Sequence, residues 1–157
     1  MRQAAVTDEG PLIHLAEIDS LDLCSLFDPL VIPKAVLDEL DRGGLPDGMH
    51  DLSYEMFDIE NPSVAPDELD TGERQAIAIA EERGMILLTD DLAARKAATE
   101  RGIEVHGSIG VIAFGYAQGK IQRQEAASRM RALQHETSLF ITEGVVEQRI
   151  KLLKETE

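Results

Sequence analysis

The chain has a single cysteine, no tryptophan, few aromatic residues (4%) and half as many basic as acidic residues. The lone cysteine, Cys24, excludes an internal disulfide framework and a cysteine-rich zinc site. Apolar stretches are short, and none approaches the roughly 18 residues that a membrane span needs. Acidic residues interrupt the N-terminal stretch where a secretory signal would need an apolar core. We therefore expect a cytoplasmic protein that makes no membrane contact.

The shortage of positive charge limits how this protein can bind a polyanion. Lysine and arginine number 15 against 30 aspartates and glutamates, which gives a net charge of −15 at pH 7. Proteins normally neutralise nucleic-acid phosphates with basic side chains, so this composition argues against broad, unassisted nucleic-acid binding. Two routes stay open. Metal ions can invert the field of an acidic pocket, and a basic partner can be attracted to an acidic surface.

The remaining composition is that of an ordinary globular protein, and the length of 157 residues predicts one domain over 1–157. Strand-like segments alternate with helical ones, which predicts a parallel sheet with helices on both faces. The predicted strands are 3–7, 30–32, 54–59, 85–88 and 103–105. The predicted helices are 11–18, 21–27, 33–42, 70–83, 92–101, 108–118, 122–135 and 141–154.

Two segments between these elements have no apolar periodicity. Residues 43–53 have turn chemistry, with glycines and a proline, and predict a flexible loop. Residues 61–67 contain two prolines and predict a connector.

Acidic residues stand where the predicted strands end or the helices begin. Asp8 follows the first strand, and Glu39 lies beside the apolar stripe of a helix. Glu73 opens the next long helix, and Asp90 and Asp91 follow the most strand-like segment. In an open parallel α/β sheet, ligands bind in the crevice at the carboxyl ends of the strands. Carboxylates gathered there would repel one another, and a divalent cation is the usual reason for such a cluster, because hard cations take oxygen ligands.

Helix capping is the competing interpretation of these acids. Asp8 fits a simple N-cap, and Asp70 with Glu73 fits a capping box. Glu39 fits a solvent-exposed residue one step off its apolar stripe. In the final aspartate pair one acid suffices as a cap, and the second is left unexplained. The joint placement of the acids supports the metal hypothesis, and no single residue decides it.

Four segments resemble the PIN-domain family of metal-dependent ribonucleases, in particular the VapC-like toxins and a prokaryotic branch of PIN-like proteins. The segments are VTDEGPLIHLAEID, VIPKAVLDEL, LDTGERQAIAIAEERG and MILLTDDLAARKAATERGIEVHGSIGVI. With the tail helices, the likeness runs over nearly the whole chain. It implies a Rossmann-like three-layer α/β/α sandwich with a central parallel sheet of about four or five strands. It also implies an acidic pocket that binds Mg²⁺ or Mn²⁺.

The resemblance implies roles for individual acids. Asp8, Glu39, Glu73 and Asp91 match the family's acidic positions and would be the catalytic residues. Asp8, Glu73 and the pair Asp90 and Asp91 would hold the metal, and either member of the pair could be the direct ligand.

Two further features bear on how such a site would work. After the first acid the family usually has a small hydroxyl residue, but Glu9 stands here and could add a ligand or disturb the site. Arg74, Arg95 and Lys96 are the cations near these acids in sequence and could contact the RNA backbone. The competing interpretation of the three cations is a solvated helix face.

The leading hypothesis is a divalent-metal-dependent endoribonuclease that hydrolyses phosphodiester bonds of single-stranded RNA and could be the toxin of a toxin–antitoxin pair. RNA and an antitoxin protein would then be partners, and the apolar helix 108–118 could form a homodimer contact or be plain core. One alternative is a non-catalytic PIN-like module that binds metal or protein, and another is an acidic adaptor whose acids are all caps. A phosphotransfer domain fits less well, since Gly10 stands where the phosphatase pattern needs a second aspartate.

Overall fold

Five parallel strands form the centre of the protein in the computed structural model, which describes residues 3–59 and 69–155. The strands are β1 (Gln3–Thr7), β2 (Phe27–Pro33), β3 (Glu55–Phe57), β4 (Ile86–Leu88) and β5 (Val105–His106). The α-helices of the described ranges are α1 (Glu9–Glu17), α2 (Lys34–Gly43), α3 (Thr71–Arg83), α4 (Leu92–Glu100), α5 (Ser108–Ala117), α6 (Arg123–Glu136) and α7 (Glu143–Glu155). Short 3₁₀ helices at Leu21–Leu26 and Met49–Asp51 precede β2 and β3.

The strands pair in the order β3-β2-β1-β4-β5, and every pair is parallel. The chain winds outward from β1 to β3, then returns to the centre and winds outward on the other side through β4 and β5. The direction therefore reverses between β1 and β4, where Thr7 is in register with Leu88. At such a reversal the loops that leave the two strands diverge and open a crevice at their carboxyl ends.

Helices cover both faces of the sheet. Because successive strand residues point to opposite faces, Leu30 and Leu88 pack with α1, α2, α5, α6 and α7, whereas Val31 and Leu87 pack with α3 and α4. Strands covered on both faces need an apolar side chain at nearly every position. The continuous apolar run of β4 meets this need, and the predicted three-layer α/β/α fold is confirmed.

Some element boundaries differ from the predicted ones, because core residues also come from segments that are not regular helices or strands. The predicted helix 21–27 is a 3₁₀ helix that stops at Leu26, and β2 begins at Phe27. The Phe27 ring stacks on Phe114 with 4.7 Å between centroids, so burial of this aromatic lengthens the strand beyond its predicted start. The last strand lies at Val105–His106 instead of 103–105. The predicted connector 61–67 lies outside the described residues.

The predicted flexible loop 43–53 is attached to the core. Gly44 and Gly48 have φ angles of 92° and 97°, which side chains with a Cβ rarely adopt. Just after the second of these turns, Met49 and Leu52 are buried in the larger apolar cluster. The predicted turns are therefore present, but the two buried side chains attach the loop to the protein core.

The apolar helix α5 packs inside the protein. Val111 and Ile112 are fully buried, and the helix contacts α1, α6 and α7. Core packing thus accounts for its apolar sequence, and the homodimer stays a prediction with no surface assigned to it. No helix among the described residues is long and apolar enough to cross a membrane.

Truncating a buried side chain of β4 tests the packing of the sheet against its helices. Leu88 is 0% exposed and Leu92 is 80% exposed, so one substitution type can be compared in two environments. We expect Leu88→Ala to lower the free energy of unfolding by about 2–5 kcal/mol, because it leaves a cavity between the layers. Leu92→Ala should change it by less than about 0.5 kcal/mol. Urea unfolding of both variants measures the difference, and equal effects would contradict the assigned core.

Candidate metal centre

Asp8 lies in the crevice where β1 and β4 end. It is 4% exposed and caps α1, with Oδ1 accepting a hydrogen bond of 2.8 Å from the Glu9 backbone N–H. Its Oδ2 accepts a 3.1 Å hydrogen bond from Oγ1 of Thr89, the residue after β4. Asp8 is therefore a helix cap and also a carboxylate that joins the ends of the two central strands.

The capping box at the start of α3 is present as predicted. The Glu73 N–H donates to Asp70 Oδ1 at 2.8 Å, and the Asp70 N–H donates to Glu73 Oε1 at 2.9 Å. The Asp91 side chain caps α4 by accepting 2.8 Å from the Ala94 N–H. Asp91 also contributes to the raised pKa of the Glu73 carboxyl group, after burial and the charges of Asp8 and Asp70. Glu73 is therefore close to several other acids.

Glu39 reaches the start of α3 from the neighbouring helix α2. Its carboxylate accepts a hydrogen bond from the Gly72 N–H. A Cβ on Gly72 would lie 3.0 Å from Val36 Cγ2 and 3.1 Å from Glu39 Oε1, so glycine lets the two helices approach this closely. Carboxylate oxygens of Glu9, Glu39 and Asp70 lie within 4.8 Å of one another. Glu39 therefore faces other acids, and the solvent-exposed interpretation does not hold.

Burial and mutual repulsion raise the pKa values of these carboxyl groups. Burial first, and then the charges of Asp70 and Glu9, raise the pKa of Asp8 to about 7. The same causes in the same order raise the pKa of Glu39 to about 7. Burial, followed by the charges of Asp8 and Asp70, also raises the pKa of Glu73 well above its usual range. Such a set of oxygen donors, crowded and poor in basic partners, fits a divalent cation.

Comparison with known proteins agrees with this geometry. A sequence model described as a PIN domain matches residues 4–155. The chain belongs to the PIN-domain family. PIN domains are a superfamily of nucleases that are generally metal-dependent. The resemblance seen in the sequence is therefore confirmed.

A solved structure has the same fold. It is a PilT N-terminus domain protein from the hyperthermophilic archaeon Sulfolobus solfataricus P2, with a TM-score of 0.60 and 21% identity. The alignment covers 69% of this chain and 90% of that one. At this identity the likeness concerns the fold alone. No curated protein matches the chain.

Asp90 of this PIN domain has a different set of partners from the other acids. Its Oδ2 accepts hydrogen bonds from His14 Nδ1 at 2.7 Å and Ser108 Oγ at 2.5 Å, and its Oδ1 accepts 2.6 Å from the Ser108 N–H. Burial opposes its ionisation most strongly, yet the hydrogen bonds from His14 and Ser108 lower the pKa of Asp90. Asp90 was predicted to hold metal, but its oxygens are already used to join α1, β4 and α5. Asp91 contacts Glu73 instead.

Some residues of this region were missed from the sequence. Asp70 was given only a capping role, and His14 and Ser108 were given none. Ser108 follows β5 as Asp90 follows β4, so the search for polar residues at strand ends could have found it. No sequence signal marks His14, because its partner is 76 residues away.

The three cations predicted to contact RNA do not lie together. Arg74 Nε donates 3.1 Å to the Leu69 carbonyl at the start of α3. Arg95 Nη2 donates 3.4 Å to the Thr89 carbonyl beside β4. Lys96 is exposed on α4. Contact of any of them with RNA stays a prediction, and Arg95 is the one held against the end of the central sheet.

The raised pKa values set how the metal-free protein responds to pH. The folded state holds protons on Asp8 and Glu39 up to about pH 7, whereas the ordinary pKa values of these groups are 3.8 and 4.5. The stabilising effect of these protons is fully present at low pH and is lost as pH rises through the folded pKa values. We expect the free energy of unfolding in EDTA to fall between about pH 5 and pH 8.

Urea unfolding at a series of pH values measures this slope. Asp8→Asn should flatten it, because the amide does not titrate, while Asp22→Asn at an exposed position should leave it unchanged. A wild-type stability that is constant or rises over this interval would contradict the assigned burial of the acids.

Removing the Asp90 carboxylate should destabilise the fold. Asp90→Ala leaves the Ser108 N–H and His14 without their acceptor, and we expect a loss of about 1–3 kcal/mol in the free energy of unfolding. Asp41→Ala, at an exposed position of α2, should lie within about 0.5 kcal/mol of the wild type. Urea unfolding at pH 7 compares the two, and an Asp90 variant as stable as the Asp41 variant would argue against this structural role.

Proposed function

We propose that this PIN domain is a divalent-metal-dependent endoribonuclease that hydrolyses phosphodiester bonds of single-stranded RNA. The observation that supports this most is the convergence of carboxyl groups from the starts of α1, α3 and α4 and from α2, with pKa values raised to about 7 for Asp8 and Glu39. Keeping unpaired acids together opposes folding at neutral pH. A bound cation would relieve that repulsion, which gives the cluster a purpose that capping alone does not.

In this proposal the acids divide their roles by position. Asp8 and Asp91 would hold the cation directly, since they follow the neighbouring strands β1 and β4. Glu73 would be a third ligand, because it lies close enough to Asp8 for that charge, after burial, to raise its pKa. Glu39 is half-buried and has a pKa of about 7, so it can take a proton from an attacking water near neutral pH. Asp90 positions Asp91 by fixing the turn between β4 and α4.

The donor set also indicates the class of metal. All candidate ligands are carboxylates, and oxygen-only sites suit Mg²⁺ or Mn²⁺ better than softer ions. When bound, such an ion supplies charge relief on the phosphoryl oxygens and lowers the pKa of a water molecule. The protein's own contribution is to gather the ligands and to exclude bulk water from Asp8, which is 4% exposed.

A second candidate is a PIN-like module that binds metal or a protein without cutting RNA. It is favoured by Glu9, which stands where the family usually has a small hydroxyl residue and adds its charge to Glu39 and Asp70. It is also favoured by the net charge of −15, which repels a polyanion and attracts a basic partner. An antitoxin protein of that kind would be the partner if the chain is a toxin, and both would then act in the cytoplasm.

Metal titration and RNA cleavage on the same samples test the proposal. Calorimetry with Mg²⁺ and Mn²⁺ would compare the wild type with the Asp8→Asn, Asp91→Asn double variant. An Asp22→Asn, Asp51→Asn double variant removes the same charge from exposed positions. We expect the wild type and this control to bind metal and cut single-stranded RNA. The first double variant should bind at least about tenfold more weakly and should not cut.

The other outcomes discriminate between the candidates. Metal binding by the wild type without cleavage would favour the non-catalytic module. A wild type that binds no divalent metal at millimolar concentration would contradict the nuclease and a metal-binding module, and would leave the acids as helix caps.

A further inference from the structure

Arg95 and Arg149 form no ion pair with a carboxylate among the residues that the structure describes. Arg95 Nε is buried without a hydrogen-bond acceptor among the described residues. Arg149 on α7 is half-buried, and burial first, then the positive charge of Arg95, lower its pKa. Within residues 3–59 and 69–155, the arginines that form ion pairs are Arg101, Arg129 and Arg131. Two guanidinium groups in electrostatic contact, one of them with a buried donor left unsatisfied, favour the binding of a further anion.

Two glycines make room for these guanidinium groups. A Cβ on Gly107 would lie 2.6 Å from Arg95 Nη2 and 2.7 Å from Asp90 Oδ1, so the Asp90 carboxylate also lies near Arg95. A Cβ on Gly110 would lie 3.4 Å from Arg149 Nη2 and 3.0 Å from His106 Cβ. The turn from β5 into α5 therefore lets both arginines lie close against the backbone, with an imidazole beside them.

A cavity of about 670 Å³ opens beside Arg149, between α5 and α7. Its lining includes Arg149 and His106 together with Phe114 and Tyr116. Basic groups thus stand beside apolar and aromatic walls. That combination suits a phosphate that carries an aromatic base, because arginine binds phosphate oxygens in pairs and aromatic rings stack on bases.

Thr89 connects this basic patch to the acidic centre. Its backbone carbonyl accepts from Arg95 Nη2 at 3.4 Å, and its Oγ1 donates to Asp8 Oδ2 at 3.1 Å. The Arg95 guanidinium and the Asp8 carboxylate therefore lie on either side of Thr89, at the carboxyl edge of the sheet. A nucleic acid strand that reached the acids would have this patch beside its path.

We propose that Arg95 and Arg149 bind a backbone phosphate of single-stranded RNA outside the acidic centre, and that the cavity beside Phe114 and Tyr116 receives an adjoining base. This inference rests on the proposed function for its choice of RNA as the ligand. It also explains how a chain of net charge −15 can hold a polyanion, since two arginines that form no ion pair with a described carboxylate are placed together.

The test measures binding of a phosphorothioate single-stranded RNA, which resists cleavage, by fluorescence anisotropy in Mg²⁺ and again in EDTA. The variants are Arg149→Gln and Arg95→Gln. The matched control is Arg101→Gln, at the opposite end of α4, where Arg101 Nη1 lies 2.9 Å from Glu81. We expect each site variant to weaken binding about tenfold and to reduce the salt slope by about one. The control should stay within about twofold of the wild type.

Two outcomes overturn the inference. Equal weakening by Arg101→Gln would show unspecific electrostatics, and RNA affinity unchanged in both site variants would show that the patch is not used. If inorganic phosphate or AMP binds the wild type and not Arg149→Gln while RNA affinity is unaffected, the site takes a free phosphate and the RNA assignment is wrong. Loss of RNA binding in the site variants of a protein that shows no metal-dependent cleavage would support the phosphate site while the nuclease proposal fails.

Thermal unfolding of the ligand-free variants separates binding from a structural role. Because Arg149→Gln removes repulsion, its unfolding midpoint should equal or exceed that of the wild type. A midpoint lowered by more than that of Arg101→Gln would mean that Arg149 supports the fold, and would overturn the inference.

Discussion

The parallel pairing of β1 with β4 determines where Asp8 and Asp91 lie in the candidate centre. The register of the two strands places Thr7 beside Leu88, and the Asp8 N–H donates 2.9 Å to the Leu88 carbonyl. Asp8 and Thr89 are thereby brought together at the point where the winding of the sheet reverses. The helices that follow these strands begin there too, so Asp91 arrives at the same crevice as Asp8. A sheet in which β1 and β4 were not neighbours would leave Asp8 and Asp91 as separate helix caps.

Capping and metal binding are compatible uses of the same carboxylates. Asp8, Asp70 and Asp91 each accept a backbone N–H at a helix start, where the helix dipole also favours negative charge. This support explains how a metal-free protein can keep the acids in place. It does not remove their repulsion, since burial and neighbouring charges still raise the pKa of Asp8 to about 7. The site is therefore assembled in advance but remains under electrostatic strain that a cation would relieve.

Local patterns were enough to predict the layered fold and the acids at strand ends. The continuous apolar run before Asp90 indicated a doubly covered strand, and the spacing of Val36 and Leu40 placed Glu39 beside a buried stripe. Features that depend on strand order were not predictable in this way. The contact of His14 with Asp90 needs β1 and β4 to be neighbours.

The same limit applies to contacts made by the tail of the chain. The approach of Arg149 to Arg95 depends on how α7 packs, which no local pattern encodes. Burial of Met49 and Leu52 could likewise not be predicted from the sequence. Periodicity identifies core residues only in regular elements, and these two lie in a loop.

The central claim is that acids from separate elements form one cation site in the β1–β4 crevice. Anomalous diffraction from crystals soaked in Mn²⁺ tests it most directly, since the ion's position is observed without reference to activity. The account predicts a peak in contact with the carboxylates of Asp8 and Asp91, with Asp90 still bound to His14 and Ser108. A peak bound only by Asp90 or only at exposed surface acids, or crystals with no peak at saturating Mn²⁺, would contradict it.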